Sequence, residues 1–138
     1  MEKPHRKLNV WQRSVDFTTH IYQITAKFPT TEKSGLAVQM RQSAASIPIV
    51  LAEGASSNPG EFIQCLSKAL SLANELDTQL EICRRLDYIA TEMHQTLDKE
   101  LTQIIRLLFG LGRSLAKRQS ESATKAPPAY GATTSTRR

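Results

Sequence analysis

Apolar positions recur every three or four residues along most of the chain, and no segment alternates with period two, so the predicted elements are helices. Trp11, Val15, Thr18, Tyr22, Thr25 and Phe28 mark the first stripe, with Ile21 and Ile24 beside it. Pro29 closes it, because the residue before proline avoids the helical region. The predicted helix spans about residues 9–28. Leu36, Met40, Ala44, Ile47 and Leu51 form a second stripe, predicting a helix that runs to about Glu53 and stops at Gly54. Pro48 inside it removes the amide that would bond the Ala44 carbonyl, so a kink is expected, with Ser43 or Ser46 serving the freed backbone groups.

Asn58-Pro59-Gly60-Glu61 carries a helix start: a capping side chain, a proline where its missing N–H costs nothing, and a glutamate in capping-box position. The third stripe follows from Phe62 through Leu66, Ala69, Leu76, Leu80 and Cys83 to Leu86. After a break at 87–91, the fourth runs from Leu97 through Leu101, Ile104 and Leu108 to Leu115. Four amphipathic helices with short connections predict an all-α, antiparallel up-down-up-down four-helix bundle. The predicted organisation is an N-terminal arm over 1–8, the bundle over 9–119, and a disordered C-terminal tail over 120–138, where Ser, Thr, Ala, Pro and Gly dominate. The third and fourth helices are longer than the first two, and the 54–58 connection is tight. The tip around Arg84, Arg85, Tyr88 and Ile89 is therefore expected to project past the first hairpin.

Composition narrows the class. The 138 residues are 40% hydrophobic with a formal charge of +5, enough for one core-bearing domain. No apolar run reaches the ~18–20 residues of a membrane span, and Leu8-Asn9-Val10-Trp11-Gln12-Arg13 is no secretory core. Two cysteines do not make a disulfide framework, so a cytoplasmic location is expected. The positive charge belongs to the ends: Arg113, Lys117, Arg118, Lys125, Arg137 and Arg138 face only Glu121 after residue 112.

Catalytic spacing is missing. Neither helical histidine, His20 or His94, follows a glutamate at the Glu-x-x-His spacing of bundle di-metal sites. Cys65 and Cys83 are 18 residues apart on one helix, about 27 Å at 1.5 Å per residue, and read as small core residues. There is no Cys-x-x-Cys, phosphate-cradling glycine loop or nucleophile elbow. The chain is expected to be non-enzymatic, with no cofactor and no metal.

Two surface patterns remain. Gln39, Ser43, Ser46, Val50 and Glu53 form a mostly polar stripe beside the apolar one, with a partial counterpart in Glu75, Thr78, Gln79 and Glu81. A solvated face and a subunit-contact stripe both fit it. Gly110 and Ser114, four apart, fit either close helix approach or fraying. Arg106, Arg113 and Lys117 share a face of the fourth helix with Arg118 beside it, candidate contacts for nucleic-acid phosphates.

Several short motifs occur in a fixed order: Val10-Trp11-Gln12-Arg13-Ser14-Val15-Asp16, Ile21-Tyr22-Gln23-Ile24-Thr25, Phe28-Pro29, Glu32, Gly35-Leu36 and Gln39-Met40-Arg41. Ser46-Ile47-Pro48, Ala52-Glu53-Gly54, Glu75-Leu76-Asp77-Thr78-Gln79-Leu80 and Tyr88-Ile89 continue the order. Over about residues 8–112 the chain resembles the bacterial four-helix-bundle proteins named for reading frames in 23S rRNA intervening sequences. It departs from them at Val50-Leu51, where asparagine and isoleucine are usual, and at Ser71-Leu72, where a Gly-Ser pair is usual. The resemblance implies an antiparallel helical bundle, a cytoplasmic homopentamer, and kinship in fold with accessory proteins of diversity-generating retroelements, which bind reverse transcriptase and nucleic acid. The expected function is a homo-oligomeric scaffold or adaptor, with nucleic acid as ligand class and no membrane. The alternative is a protein-only adaptor that recruits a partner enzyme.

Overall fold

The structure, a computed structural model, describes residues 2–124. A 3-10 turn at Pro4–Lys7 leads into α1 (Asn9–Thr25), α2 (Leu36–Ala55), α3 (Pro59–Arg85) and α4 (Thr91–Thr124), with a second 3-10 turn at Thr30–Glu32. Each helix packs on the next and α1 closes on α4, an up-down-up-down bundle with no strand among the described residues. Its core stacks side chains such as Phe17, Met40, Leu51, Leu76 and Leu101, all essentially without solvent contact.

The buried face of α1 is Val10, Ser14, Phe17, Ile21 and Thr25, about one residue around from the stripe of Trp11, Val15 and Tyr22. Two hydroxyls lie on this face, and Ser14 is the one that hides it in the sequence, since Thr25 already belongs to the stripe. Ser14 Oγ donates to the Trp11 carbonyl (2.9 Å) and Thr25 Oγ1 to the Ile21 carbonyl (2.7 Å), so each is satisfied on its own helix and can be buried. Tyr22 lies outside, 46% exposed, beneath the Arg41 guanidinium of α2 at 4.6 Å. Beyond Thr25 the chain tightens, with Phe28 N–H on the Thr25 carbonyl, before Pro29.

Helix α2 runs unbroken through Pro48. The freed Ala44 carbonyl accepts from Thr18 Oγ1 of α1 at 3.0 Å, while Ser46 bonds the Gln42 carbonyl instead. The repair comes from the neighbouring helix, where the sequence pointed to Ser43 or Ser46. Gly54 does not stop α2, which reaches Ala55. A Cβ there would lie 2.5 Å from Phe62 Cδ1 and 3.0 Å from Cys65 Cβ, so this glycine lets α3 approach. Asn58 caps α3 as expected, its Oδ1 accepting the Glu61 N–H at 2.9 Å.

The far end of α3 ends in a Schellman turn. Tyr88 N–H bonds the Cys83 carbonyl, Asp87 N–H bonds the Arg84 carbonyl, and Asp87 takes the left-handed conformation (φ 61°). This tip does not project past the first hairpin. The α1–α2 connection folds over it: Phe28 packs on Tyr88 with ring centroids 5.3 Å apart, and Ile89 is buried. Tyr88 Oη donates to Glu32 Oε2 at 3.1 Å, while Glu32 Oε1 accepts the Leu36 N–H at the start of α2. The extra length of α3 is covered by this connection. Leu86, expected in the core, is consequently 50% exposed as the cap residue.

At the other end the N-terminal arm lies against the body: the His5 ring packs against Trp11, tilted by 58° with centroids 4.9 Å apart, and the Pro4–Lys7 turn touches α2. Helix α4 continues to Thr124, so residues 120–124 extend it, and the rest of the expected tail, 125–138, lies outside the described residues. It passes through Gly110 and Gly112 without interruption, and Gly110 meets only the Arg113 side chain, at 3.7 Å from a built Cβ.

Cys83 is fully buried, its Sγ 3.4 Å from Met40 Sδ, and burial, reinforced by the Glu32 charge, pushes its thiol up to about 11. Cys65 is half-buried at the α2–α3 surface. DTNB is expected to modify one thiol per native chain promptly and the second only after unfolding in guanidinium. Prompt reaction of both thiols in the native protein would contradict the closed packing around Cys83.

Candidate interaction surfaces

The stripe expected on α2 lies along the seam with α3. Gln39, Gln42, Ser43 and Ser46 face Leu72 and Glu75 across a groove of about 270 Å³. Val50 and Glu53 line a second groove, of about 380 Å³, with Ser57, Glu61, Gln64, Cys65 and Lys68. The stripe is not uniformly solvated: Ser43 and Val50 are buried, whereas Gln39 and Glu53 are exposed. Across the seam Leu72, Glu75, Gln79, Ile82 and Leu86 step by three or four, so they share a face of α3. Gln79 is only 6% exposed, and its Oε1 has no hydrogen-bond donor among the described residues. Ile82 and Leu86 stand exposed beyond it. Thr78 bonds its own helix at Asn74, and Glu81 belongs to the opposite, α4-facing side.

Sequence reasoning missed this apolar end of the strip. The three-four step from Gln79 to Ile82 and Leu86 was present, but Leu86 was absorbed into the core pattern.

Glu81 gathers the cations of the α3 end. It accepts from Arg84 at 2.7 Å and Arg85 at 2.8 Å, and His94 stands 3.6 Å away. Hydrogen bonds from Arg84 and then Arg85 hold the Glu81 carboxyl down to about 2. With its folded value below the unfolded one near 4.5, the cluster stabilises fully above about pH 4.5 and loses that contribution as pH falls toward 2. The stability difference between the wild type and Glu81→Gln is therefore expected to shrink as the pH falls below about 4.5, measured by urea unfolding across pH. Because the cluster faces solvent, high salt is expected to shrink it further. A difference independent of pH would remove the role assigned to Glu81.

The basic residues of α4 are all exposed. At 100° per residue, Arg106, Arg113 and Lys117 fall within about 40° of one another on the outer face. Arg118 lies about 100° from Lys117, on the side turned to α1. Among the described residues none of these four makes an ion pair. Most other guanidinium groups are engaged, Arg6 over Trp11, Arg41 over Tyr22, Arg84 and Arg85 on Glu81, while exposed Arg13 on α1 is the exception among the described residues. Beside Arg113 opens a further groove of about 380 Å³ between α3 and α4, whose walls include Leu66, Leu70 and Phe109.

His20 Nδ1 meets Glu100 at 2.8 Å and joins α1 to α4. Among the described residues no group of three or more His, Cys, Asp or Glu side chains could hold a metal, and no helix is long and apolar enough to cross a membrane.

Fold and surfaces together define an antiparallel four-helix-bundle protein, with two inter-helix seams and a cationic helix face as its distinguishing features. Residues 6–110 match the 23S rRNA-intervening sequence protein family, and the chain belongs to that family. The bundle is similar to the crystal structure, at 1.70 Å, of a protein of unknown function from the S23 ribosomal protein family of Bacteroides thetaiotaomicron. The two are 30% identical with a TM-score of 0.67, over 75% of this chain and 95% of that one. No curated protein matches the chain.

Proposed function

We propose that the protein is a non-enzymatic homo-oligomeric scaffold or adaptor, a cytoplasmic pentamer, that holds nucleic acid on the outer face of α4. The observation that carries the ligand is the contrast among its arginines: those elsewhere are largely paired or stacked, whereas Arg106 and Arg113, with Lys117, stand exposed on one helix face without a carboxylate partner among the described residues. Such cations add phosphate affinity that falls with salt, and repetition around a ring multiplies it by avidity. Assembly is supported by the α3 strip, where a buried Gln79 oxygen lacks a donor beside the exposed Ile82 and Leu86. A second chain covering this seam would supply both donor and apolar cover.

Size-exclusion chromatography with light scattering, recording absorbance at 260 and 280 nm, tests both parts. A five-chain mass with excess 260 nm absorbance is expected, and a clean monomer would end the assembly reading. Replacing Arg106, Arg113 and Lys117 with alanine together should abolish salt-dependent binding of an oligonucleotide. Adding Arg118→Ala should matter less, because it points elsewhere. Binding unchanged by the triple replacement would end the nucleic-acid reading. The second reading, a protein-only adaptor, rests on the same α2–α3 seam and is favoured by a protein partner that stays bound after nuclease treatment.

A further inference from the structure

We infer that the α3–α4 groove takes an unpaired nucleobase stacked on Phe109, so that the nucleic acid held by α4 is single-stranded. This rests on the proposed nucleic-acid function and deepens it. Phe109 is a large aromatic ring left 54% exposed beside the cationic strip, about 40–80° around the helix from its three cations on the side of α3, three residues after Arg106 and four before Arg113. The groove beside it is walled by Ile63, Leu66 and Leu70 of α3 and by Leu108 and Ala116 of α4. Its polar rim is Ser67 and Arg113, and no carboxylate lines it. A volume of about 380 Å³ lies within the range of small-ligand sites, roughly 300–1,000 Å³.

Gly112 keeps this groove open. A Cβ built on it meets only Leu66 Cδ1, at 3.7 Å, so the space over Gly112 is unfilled by any close neighbour. The occupant that fits such a site has an apolar flat face and anionic groups on either side. Every nucleobase has that face, and stacking on an exposed aromatic ring is tolerant of sequence. The cations run on past the groove: Arg106 and Arg113 are about 10 Å apart along the helix axis and Arg113 and Lys117 about 6 Å. That spacing suits a chain of phosphates rather than one anion. Bases paired inside a duplex cannot reach the ring, because their faces are already stacked on one another.

The test is fluorescence anisotropy of the full chain with a labelled oligouridylate and with a hairpin duplex of equal charge, across a salt series. Phe109→Ala should weaken oligouridylate binding about tenfold, within the range of alanine substitutions at stacked bases, and leave the salt slope unchanged. Phe109→Trp should preserve binding. Arg113→Ala should lower the slope by about 0.7, the increment for one phosphate of a single strand. Gly112→Leu, which fills the groove, should weaken binding to the oligouridylate while raising the melting temperature, since it also removes a helix glycine. This separates lost binding from lost folding.

Oligouridylate binding unaffected by Phe109→Ala but lost with Arg106, Arg113 and Lys117 would overturn the stacking inference and leave the proposed function standing. No salt-dependent binding to either oligonucleotide would remove both. A fall in oligomer mass for Phe109→Ala would make Phe109 a subunit contact and overturn the inference. So would competition by polyglutamate equal to that of unlabelled oligouridylate.

Discussion

Gly54→Ala is expected to lower stability by roughly 1–2 kcal/mol, although the same exchange in an open helix raises it by about 1 kcal/mol. The two effects oppose each other, and geometry decides the sign. A new Cβ at Gly54 would sit 2.5 Å from Phe62 Cδ1, well inside van der Waals contact, and 3.0 Å from Cys65 Cβ. Phe62 could swing only by leaving a core in which it is 7% exposed, and Cys65 Cβ is fixed by the backbone of α3. Either α2 and α3 separate, or the ring is displaced. Gly112→Ala is the internal control: it lies on a helix too, but its Cβ would meet a neighbour only at 3.7 Å, so it should gain about 0.5–1 kcal/mol. Urea unfolding of the two variants should give shifts of opposite sign. Equal stabilisation by both would show that α2 and α3 do not approach at Gly54.

Thr18→Val should cost about 1–2 kcal/mol, and most of that cost should vanish when Pro48 is replaced by alanine. The Thr18 hydroxyl proton is shared between the Ser14 carbonyl at 2.8 Å and the Ala44 carbonyl at 3.0 Å. The Ser14 carbonyl belongs to α1 and has a helix amide available, so losing the hydroxyl there matters little. The Ala44 carbonyl has no such amide, because Pro48 stands where the donor would be. Valine keeps the shape of threonine and strands that carbonyl. Alanine at position 48 restores an N–H at the i+4 position, which makes the hydroxyl redundant. The readout is therefore the coupling in a double-mutant cycle, since Pro48→Ala alone also removes buried carbon atoms. Strictly additive effects would show that the two residues do not share the Ala44 carbonyl.

These two sites also mark where the chain was readable and where it was not. Helices α2, α3 and α4 declared themselves through Met40, Ala44 and Ile47, through the Asn58-Pro59 cap, and through the run from Leu97 to Leu115, because an unbroken apolar stripe or a cap signal marks each one, with buried Ser43 and Gln79 lying beside the stripes of α2 and α3. Helix α1 misled by one residue over its first half, because buried Ser14, whose hydroxyl closes on the preceding turn, interrupts the apolar step from Val10 to Phe17. Pro48 announced a broken hydrogen bond, but its repair is a tertiary event: Thr18 is 26 residues before Ala44, beyond any local pattern. Gly54 reads as a stop signal locally and is a contact residue only once Phe62 is placed against it. The length argument for a projecting tip counted helical residues alone, and the 26–35 connection filled the difference.

The candidate surfaces divide in the same way. Arg106, Arg113 and Lys117 share a face because seven and four residues are whole numbers of turns, to within about 40°. The exposure of Phe109 beside them needed the bundle, since a phenylalanine next to Leu108 fits a core stripe equally well by spacing. The stripe from Gln39 to Glu53 was visible as a pattern, while its division into buried Ser43 and Val50 and exposed Gln39 and Glu53 depends on where α3 lies.

The closed end has a consequence for how the chain folds. Its polar lock joins Tyr88 to Glu32 across 56 residues, and the His20–Glu100 pair spans 80. Pairing of helices adjacent in sequence closes short loops, whereas these links close spans of 56 and 80 residues, so they are expected to form late. Interactions absent from the transition state act on the rate of unfolding and leave the rate of folding alone. The lock between Glu32, Tyr88 and Phe28 is thus expected to act as a brake on opening. Tyr88→Ala should speed unfolding in stopped-flow measurements far more than it slows folding. The lock then sets how long a folded bundle lasts rather than how quickly one is made.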